Sequence, residues 1–201
     1  MIYLCSMTNI AIFASGAGSN ARKIIEYFAN HTNIRVALVL SNNRSAGVLD
    51  IAKTHQIPIA ICNKVTLQKE EEIMPLLHQF HIDFIALAGF MVLIPAYLTV
   101  AFQNRIINIH PALLPKYGGK GMYGMHVHEA VFQQQEKESG ISIHFVNAKY
   151  DDGDIIFQEK INIESCENAT EIASKVLACE HANYAKVIEK VVIEFREKES
   201  E

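Results

Sequence analysis

Short apolar segments alternate with helical periodicity over the first half of the chain. The apolar segments are nearly continuous, and they are Asn9–Ala14, Arg35–Leu40, Asp83–Ala88 and Arg105–Ile109. This pattern is typical of strands in a parallel sheet, because both faces of such a sheet are covered. Between them, Ser19–Asn30 and Thr66–Phe80 carry their apolar residues on one side, as amphipathic helices do. The alternation predicts an α/β fold with an open, doubly wound, mostly parallel, Rossmann-like sheet.

The pattern changes after about residue 140. Ile141–Asn147 and Ile155–Ile163 alternate between apolar and polar residues, with the turn Asp151–Asp154 between them. This alternation predicts an antiparallel C-terminal strand pair added to the sheet. A long closing helix follows, with Asn168 as its predicted N-cap and Glu171 three residues later.

The length and composition favour one domain. The chain has 201 residues, of which 50% are hydrophobic, and this is enough to bury a sizeable core. No Pro- or Ser-rich linker interrupts it. We therefore expect a single domain over residues 1–201, in which residues 1–7 form a disordered or non-essential N-terminal extension.

Charge and cysteine usage bear on partners and location. The 18 basic and 22 acidic residues give a formal net charge of −4, whereas a nucleic-acid or anionic-membrane partner requires a basic excess. No apolar segment approaches the roughly 18 residues that cross a bilayer, and the N-terminus does not resemble a signal peptide. The cysteines form no C-x-x-C pair, as expected of free thiols in a reducing cytosol; they are Cys5, Cys62, Cys166 and Cys179. We expect a cytoplasmic protein with no nucleic-acid or membrane partner, as a monomer or a homodimer.

The first predicted strand leads into a glycine-containing loop, Ser15–Asn20, and then into a helix. Glycines let backbone N–H groups approach an anion, and the helix dipole favours a negative charge there. Ser19 and Asn20 add side-chain donors at the same point. The loop is therefore a candidate phosphate site, with a tight turn that binds no ligand as the alternative.

The same loop matches G-x-G-x-x-A through Gly16, Gly18 and Ala21, which raises a dinucleotide site as a second possibility. A site for NAD requires an acidic residue at the end of the second strand, where this chain has Ser41–Arg44. Arg44 suits a 2′-phosphate instead, so an NADP-dependent reductase stays open.

Asn108 and His110 close the fourth apolar segment. They are two residues apart on an extended chain, so their side chains point to the same face. An amide donor beside a titratable imidazole suits an oxygen atom that gains negative charge. A single histidine is more often structural, but here a polar Asn-x-His ends an apolar strand and is followed by Pro111 and Pro115. Both residues are candidates for catalysis.

A carboxylate is the expected third partner, because a nearby negative charge keeps an imidazole protonated. The candidates lie in the late turn and are Asp151, Asp152 and Asp154. The alternative is a solvated hairpin turn, for which Asp and Gly are the usual residues.

A metal site is a separate possibility, because four histidines fall within a short stretch: His110, His126, His128 and His144. Their spacing matches no H-E-x-x-H motif, and only His126 and His128 are close together. We expect no metal.

Several segments, in order along the chain, match one known family: Ser15–Asn20, Leu87–Met91, Asn108–Tyr117, Ser142–Val146 and Asp151. Together they resemble the phosphoribosylglycinamide formyltransferases, folate-dependent enzymes of purine synthesis, over about residues 8–190. The Asn-x-His-Pro-x-Leu-Leu-Pro pattern with a later Asp is specific to the wider formyl-folate group. The resemblance implies a formyltransferase fold with a phosphate- and nucleotide-binding half at 8–110 and a folate-binding, closing half at 111–201.

The resemblance also implies roles for individual positions. The catalytic residues would be Asn108, His110 and Asp151. The ribonucleotide would bind to Gly18, Ser19, Asn20 and Glu180, although Glu180 could instead be exposed on the last helix. The folate pocket would be lined by Met91, Val92, Leu93, Ile94, Asn147, Ala148, Lys149 and Tyr150. Supporting residues would be Ser142, His144 and His126. The segment Tyr117–Met125 is longer than in many members, and Asp152 stands where many have glycine.

The implied reaction moves the formyl group of 10-formyltetrahydrofolate, as co-substrate, to the amine of glycinamide ribonucleotide. Protonated His110 and the Asn108 amide would stabilise the oxyanion, and Asp151 would support the imidazolium and relay a proton through water. Neither a metal nor a covalent intermediate is implied. Within the group, a methionyl-tRNA formyltransferase would carry a second, basic domain and a formyltetrahydrofolate hydrolase a regulatory one; we expect neither. A non-catalytic nucleotide-binding module is the remaining alternative.

Overall fold

The strands of the computed structural model, which describes residues 7–199, form one seven-stranded sheet in the order β3-β2-β1-β4-β5-β6-β7. The strands are β1 (Thr8–Phe13), β2 (Ile34–Ser41), β3 (Ile59–Ile61), β4 (Phe84–Leu87), β5 (Ile106–His110), β6 (Glu138–Phe145) and β7 (Ile155–Asn162). The first five strands pair in parallel, and β6 and β7 add on as antiparallel strands. The predicted sheet and its antiparallel C-terminal pair are confirmed. Most of the predicted N-terminal extension lies outside the described residues, as does Cys5.

Seven helices are described between residues 7 and 199. They are α1 (Ser19–Phe28), α2 (Val48–Thr54), α3 (Lys64–Leu67), α4 (Glu70–Gln79), α5 (Ala96–Ala101), α6 (Met125–Gln133) and α7 (Ala169–Glu199). None of these helices is both long enough and apolar enough to cross a bilayer.

The apolar core is divided by the sheet into two clusters. Successive residues of β1 enter different clusters: Ile10 and Ile12 pack into one, Ala11 and Phe13 into the other. Residues of α1, α2, α6 and α7 join the first cluster, and residues of α3, α4 and α5 join the second. All six residues of β1 are buried. Helices therefore cover both faces of the sheet, and this explains why its strands are almost continuously apolar.

The sequence interpretation is wrong in two places before β4. The segment predicted as one helix, Thr66–Phe80, forms parts of α3 and α4, which are separated at Gln68 and Lys69. Asn63 caps α3 by accepting hydrogen bonds from the N–H groups of Val65 and Thr66, so α3 starts earlier than the apolar periodicity suggests. The strand β3 was not predicted, because three residues at a sheet edge are too few to establish a period.

The closing helix α7 is anchored at its start and in its middle. Asn168 accepts a hydrogen bond from the N–H of Glu171 at 3.0 Å, which confirms the predicted N-cap. Further along, the hydroxyl of the buried Tyr184 lies 2.8 Å from the carbonyl oxygen of Leu87 and 3.2 Å from that of Ile107. Since these carbonyls belong to β4 and β5, Tyr184 fixes α7 against the two central strands.

We predict that Tyr184→Phe lowers the free energy of unfolding by about 1–2 kcal/mol, because the ring is kept while a buried hydrogen bond to two strands is lost. Urea denaturation measures this change. The control is Tyr27→Phe, which removes the hydroxyl of an exposed tyrosine. Equal stabilities of the Tyr184→Phe variant and the unmodified protein would contradict the anchoring role.

Candidate active site

A cleft of about 620 Å³ lies at the carboxyl ends of the central strands, where ligands bind in open α/β sheets. Its lining comes from the end of β5, from the loops after β4 and β5, from the turn between β6 and β7, and from the helices α1, α6 and α7. The predicted site residues that line it are Asn20, Met91, Asn108, His110, Tyr150, Asp151 and Glu180. Residues far apart in the sequence thus meet in one cavity.

The pairing of β5 with β6 sets the residues behind the cleft. In this antiparallel register Asn108 lies opposite His144, and His110 lies opposite Ser142. The two candidate catalytic residues therefore face two of the three predicted supporting residues directly across the strands. Because residues two apart on a strand share a face, the side chains of both pairs lie on the same face of the sheet.

The carboxylate of Asp151 lies close to both Asn108 and His110. Its Oδ2 lies 3.6 Å from Nδ1 of His110, and its Oδ1 lies 3.4 Å from Nδ2 of Asn108. Oδ1 also lies 3.6 Å from Nε2 of His144, and the N–H of Gly119 donates to Oδ2 at 2.9 Å. The structure thus brings Asn108, His110 and Asp151 together, while Asp152 and Asp154 are exposed.

The protonation of His110 differs from the sequence-based expectation. Burial lowers the pKa of His110, and this outweighs the raising effects of the Asp151 charge and of a hydrogen bond to the Tyr117 carbonyl; the nearby His144 lowers it further. Burial by itself raises the pKa of Asp151, but the hydrogen bond from His144, the charge of His110 and the Gly119 N–H together bring it below its usual value. In the protein without substrate, Asp151 is ionised and His110 is mainly neutral at neutral pH.

The tautomers of both histidines follow from their carbonyl partners, which only accept hydrogen bonds. Nε2 of His110 lies 2.7 Å from the carbonyl oxygen of Tyr117, and Nδ1 of His144 lies 2.7 Å from that of Phe145. These nitrogens therefore carry protons. Neutral His110 leaves the lone pair of Nδ1 facing Asp151, and Nε2 of His144 lies 3.2 Å from the amide nitrogen of Asn108.

Ser142 supports the segment that follows β5. Its hydroxyl donates to the carbonyl of Ala112 at 2.6 Å and accepts from the N–H of Leu114 at 2.9 Å. Gln158 on β7 donates to the same hydroxyl and to the carbonyl of Leu114. Ser142 and Gln158 thereby hold the turn between His110 and the glycine-rich segment, Tyr117–Gly124.

His126 does not enter the cleft. Its side chain is 64% exposed and forms an ion pair with Glu129, whereas His128, two residues later, is buried and lines the cavity. Two residues along an α-helix point to nearly opposite sides, so only one of this pair faces the cleft. Burial and the neighbouring His110 lower the pKa of His128, and its buried Nδ1 has no hydrogen-bond partner.

The Ser15–Asn20 loop reaches the cleft through Asn20. Gly18 adopts φ +82° as the N-cap of α1, and a Cβ there would lie 2.7 Å from Cβ of Val48. Only glycine tolerates both this positive φ and the lack of space for a Cβ. No acidic residue occupies the first turn of α1, so its N-terminus remains favourable for an anion. Ser19 is exposed at this turn, and neither Gly18 nor Ser19 is among the residues that line the cavity.

Glu180 is buried on α7 instead of exposed. Its Oε2 accepts a hydrogen bond from Nδ2 of Asn20 at 2.7 Å, and the Oδ1 of Asn20 is buried without a partner. Burial raises the pKa of Glu180 to about 7, and the hydrogen bond from Asn20 opposes this only partly. The two side chains form a polar corner of the cleft that keeps hydrogen-bonding capacity for a ligand.

The predicted folate residues divide between three surfaces. Met91 and Tyr150 line the main cleft. An adjoining pocket, which shares Asn108 and Asp151 with the main cleft, is lined by Val92, Leu93, Ile94, Lys149 and Tyr150. Asn147 and Ala148 instead border a separate groove with Thr99 and Asp154. The structure therefore does not bring these last two predicted residues to the site.

The alternatives of a metal and a dinucleotide find no support in this geometry. Among residues 7–199, no group of three His, Cys, Asp or Glu side chains is arranged to hold a metal ion. Arg44 is exposed and does not line the cleft. The cysteines in the same range, Cys62, Cys166 and Cys179, are free thiols.

A comparison with protein families agrees with this geometry. The model of the family described as "Formyl transferase" matches residues 8–188, which include every residue of the Asn108–His110–Asp151 group. The chain belongs to the formyl transferase family. This membership confirms the resemblance and the fold class inferred from the sequence.

Three proteins similar to this chain carry the same name, phosphoribosylglycinamide formyltransferase. The chain is 40% identical to the chloroplastic phosphoribosylglycinamide formyltransferase of Arabidopsis thaliana, and the match covers 89% of this chain and 63% of that protein. It is 38% identical to the Vigna unguiculata protein of the same name, covering 90% of this chain and 59% of that protein. The chain thus spans less than two thirds of these relatives. The crystal structure of phosphoribosylglycinamide formyltransferase from Bacillus halodurans has a TM-score of 0.82 and 35% identity, covering 92% of this chain and 95% of that one.

We predict that Glu180→Gln changes the pH dependence of stability. The folded pKa of about 7 exceeds the usual value of 4.5, so the contribution of this group is complete below about pH 4.5 and is lost as pH rises through 7. Glutamine never ionises, so the variant should exceed the unmodified protein in unfolding free energy by about 3 kcal/mol at pH 8 and by much less at pH 5.

Urea denaturation at both pH values measures this difference, with Glu197→Gln as a control at an exposed position of the same helix. A Glu180→Gln effect that is the same at pH 5 and pH 8 would show that the carboxyl titrates outside this range.

Proposed function

We propose that this chain transfers the formyl group of 10-formyltetrahydrofolate to the amine of glycinamide ribonucleotide, giving formylglycinamide ribonucleotide and tetrahydrofolate in purine synthesis. The observation that carries the proposal is the meeting of Asn108, His110 and Asp151 in one cleft. The names of the relatives support the choice of substrates. The match covers 95% of the Bacillus halodurans chain, so in that organism a protein of about this length is named phosphoribosylglycinamide formyltransferase.

The polar corner of the cleft suits the ribonucleotide. The N-terminus of α1, with Gly18 and Ser19, favours a phosphate, and Asn20 lies beside it with a buried oxygen that lacks a partner. Glu180 is held by Asn20 and presents a carboxyl group that suits ribose hydroxyls. The corner therefore fits a ligand that carries a phosphate next to a sugar, which is what the proposed substrate carries.

Another part of the cleft, together with the adjoining pocket, suits the folate. Met91 and Tyr150 form part of a mainly apolar wall, and the adjoining pocket continues past Val92 and Ile94. A flat heteroaromatic ring requires such a lining with a few polar groups at its edge. Asn108 and Asp151 lie where the two cavities join, so a formyl group placed there would lie between the two ligands.

Attack by the neutral amine on the formyl carbon produces an oxyanion, and this chain has a donor for it in Asn108. One N–H of its amide faces Nε2 of His144 at 3.2 Å, and the other lies 3.4 Å from Asp151. A hydrogen bond of 3.4 Å is long, so the second N–H is held weakly by Asp151 and can donate instead to a substrate oxygen placed beside it. A donor aimed at developing negative charge typically contributes roughly 10²–10³ in rate.

His110 and Asp151 provide a route for the proton that the amine must lose. Neutral His110 has an unprotonated Nδ1, which accepts that proton directly or through water. The resulting imidazolium is stabilised by ionised Asp151, 3.6 Å away, and it returns the proton to the folate nitrogen as the carbon–nitrogen bond breaks. In this scheme His110 becomes charged during the reaction and is not protonated beforehand.

The location and assembly proposed for the chain are a cytoplasmic monomer or homodimer that binds no nucleic acid and no membrane. The plant relatives are named chloroplastic, so the cytoplasmic location requires its own test, such as fractionation of the source cells. A single domain with a ribonucleotide half at 8–110 and a folate half at 111–201 is likewise a proposal. Both halves contribute residues to the main cleft.

We predict that the protein releases tetrahydrofolate when it is incubated with glycinamide ribonucleotide and 10-formyltetrahydrofolate. Asn108→Ala should lower kcat by roughly 10²–10³ because the oxyanion loses a donor. Calorimetry should show that this variant still binds the ribonucleotide. Asn30→Ala, at an exposed position after α1, is the matched control and should keep full activity.

Asp151→Asn tests the proton route. The amide cannot stabilise the imidazolium as a carboxylate does, so kcat should fall and its pH profile should shift.

Absence of tetrahydrofolate release by the unmodified protein would refute the proposed reaction. Full activity of either variant would remove that residue from the mechanism.

A further inference from the structure

The segment from Lys116 to Gly119 contacts both ionisable catalytic groups through its backbone. The carbonyl of Tyr117 accepts the hydrogen bond from Nε2 of His110 at 2.7 Å, and the N–H of Gly119 donates to Oδ2 of Asp151 at 2.9 Å. The first contact determines which nitrogen of His110 carries the proton. The position of this backbone therefore governs the orientation of the imidazole and of the carboxylate together.

Tyr117 adopts a backbone conformation that it does not favour by itself. Its φ of +57° is in the left-handed region, where the Cβ of a non-glycine residue comes too close to the following carbonyl oxygen. Such a conformation persists only where surrounding contacts maintain it. The carbonyl that contacts His110 belongs to this residue, so the contacts that stabilise Tyr117 also stabilise the histidine.

Those contacts converge on Glu136, which lies just after α6. The hydroxyl of Tyr117 donates to Oε1 of Glu136 at 2.9 Å, and the ammonium group of Lys116 lies 2.9 Å from the same oxygen. The ring of Tyr117 is half-buried and packs against the apolar cluster on the α7 side of the sheet. Glu136 does not line the main cleft. It therefore touches the segment without reaching the reacting groups.

We propose that Glu136 and the Tyr117 hydroxyl form a positioning pair that holds the Tyr117 carbonyl against His110 and thereby fixes the imidazole for proton transfer. The inference rests on the proposed function for its kinetic consequence. Its structural consequence, a fixed tautomer of His110, does not depend on the identity of the substrate.

The pair persists over the neutral pH range. The hydrogen bonds from Lys116 and Tyr117 lower the pKa of Glu136, which keeps its carboxylate ionised. Burial and the hydrogen bond to Glu136 raise the pKa of Tyr117 to about 12, which keeps its hydroxyl protonated. Donor and acceptor therefore stay in their required forms while His110 gains and loses a proton.

Steady-state kinetics of three single variants and one double variant test the pair. Tyr117→Phe and Glu136→Ala should each lower kcat roughly tenfold with little change in either KM, because the imidazole is displaced while the ligand-binding surfaces stay. Glu136→Gln should retain about half of kcat or more, since its amide oxygen still accepts from the tyrosine hydroxyl. The double variant should be no worse than either single one, since both break the same contact.

Tyr27→Phe is the matched control, because Tyr27 donates to Glu189 through the same kind of hydrogen bond on a remote surface. It should leave kcat unchanged. Additive losses in the double variant, or an unchanged kcat in Tyr117→Phe and Glu136→Ala, would overturn the proposal.

NMR of ¹⁵N-labelled histidine provides a readout that needs no turnover. In the unmodified protein the neutral ring of His110 should carry its proton on Nε2, and His110→Ala assigns the signal. Tyr117→Phe should give a mixture of the two tautomers, whereas Tyr27→Phe should not. A signal that stays fully Nε2-protonated in Tyr117→Phe would refute the positioning role, even if the protein proved to act on other substrates. Loss of formyl transfer in the unmodified protein would refute the proposed function but not the pair.

Discussion

The site depends on one constraint: the carboxylate of Asp151 must lie between two buried imidazoles, although it comes from a different part of the chain. His110 is on β5, His144 is on β6, and Asp151 is in the turn that leads to β7. The antiparallel pairing of these strands brings them together, and the Asn108 amide and the Gly119 N–H supply two further contacts. A carboxylate with these partners stays ionised despite its burial.

The pKa values of three ionisable groups in the cleft are shifted by burial, hydrogen bonds and nearby charges, and the balance of these effects differs from group to group. Asp151 has enough donors and nearby imidazoles to overcome the cost of burial, so its pKa falls. Glu180 has one neutral donor, Asn20, and its pKa rises to about 7. His110 has a carboxylate and a carbonyl as partners, yet burial still lowers its pKa. The cleft therefore starts with an ionised acid beside a neutral base, which is the state required to accept a proton.

The sequence predicts the parts of this structure that depend on local pattern. The continuous apolar strands indicate a sheet covered on both faces, and the polar Asn108 and His110 at the end of β5 mark its functional edge. The Asp151–Asp154 turn is also evident, although only family resemblance singles out Asp151. By contrast, periodicity cannot locate β3 or divide α3 from α4, because a three-residue edge strand and a helix cap leave no period to measure.

The remaining differences arise from burial, which a sequence does not reveal directly. Asn147 and Ala148 were expected beside the folate, but the chain turns so that they face another groove. His128 and His126 look equivalent in sequence, and only helix geometry assigns the first to the cleft. The expectation that His110 is protonated considers only the negative charge of a neighbouring carboxylate. It omits the cost of desolvating the imidazolium, which lowers the pKa of His110.

The glycine-rich segment illustrates why these contacts are hard to predict. Tyr117 and Gly119 contact His110 and Asp151 through backbone atoms, so the identity of their side chains does not reveal these two contacts. Gly118 lies between them, and a Cβ there would approach Leu114 and Asp151 closely. Its lack of a side chain allows the segment to lie against the turn that carries Asp151. Backbone groups cannot change rotamer, so once this segment is fixed it aligns His110 and Asp151 at the same time. In the proposed reaction, the cleft would then bind and release its ligands without reassembling the proton route at each turnover.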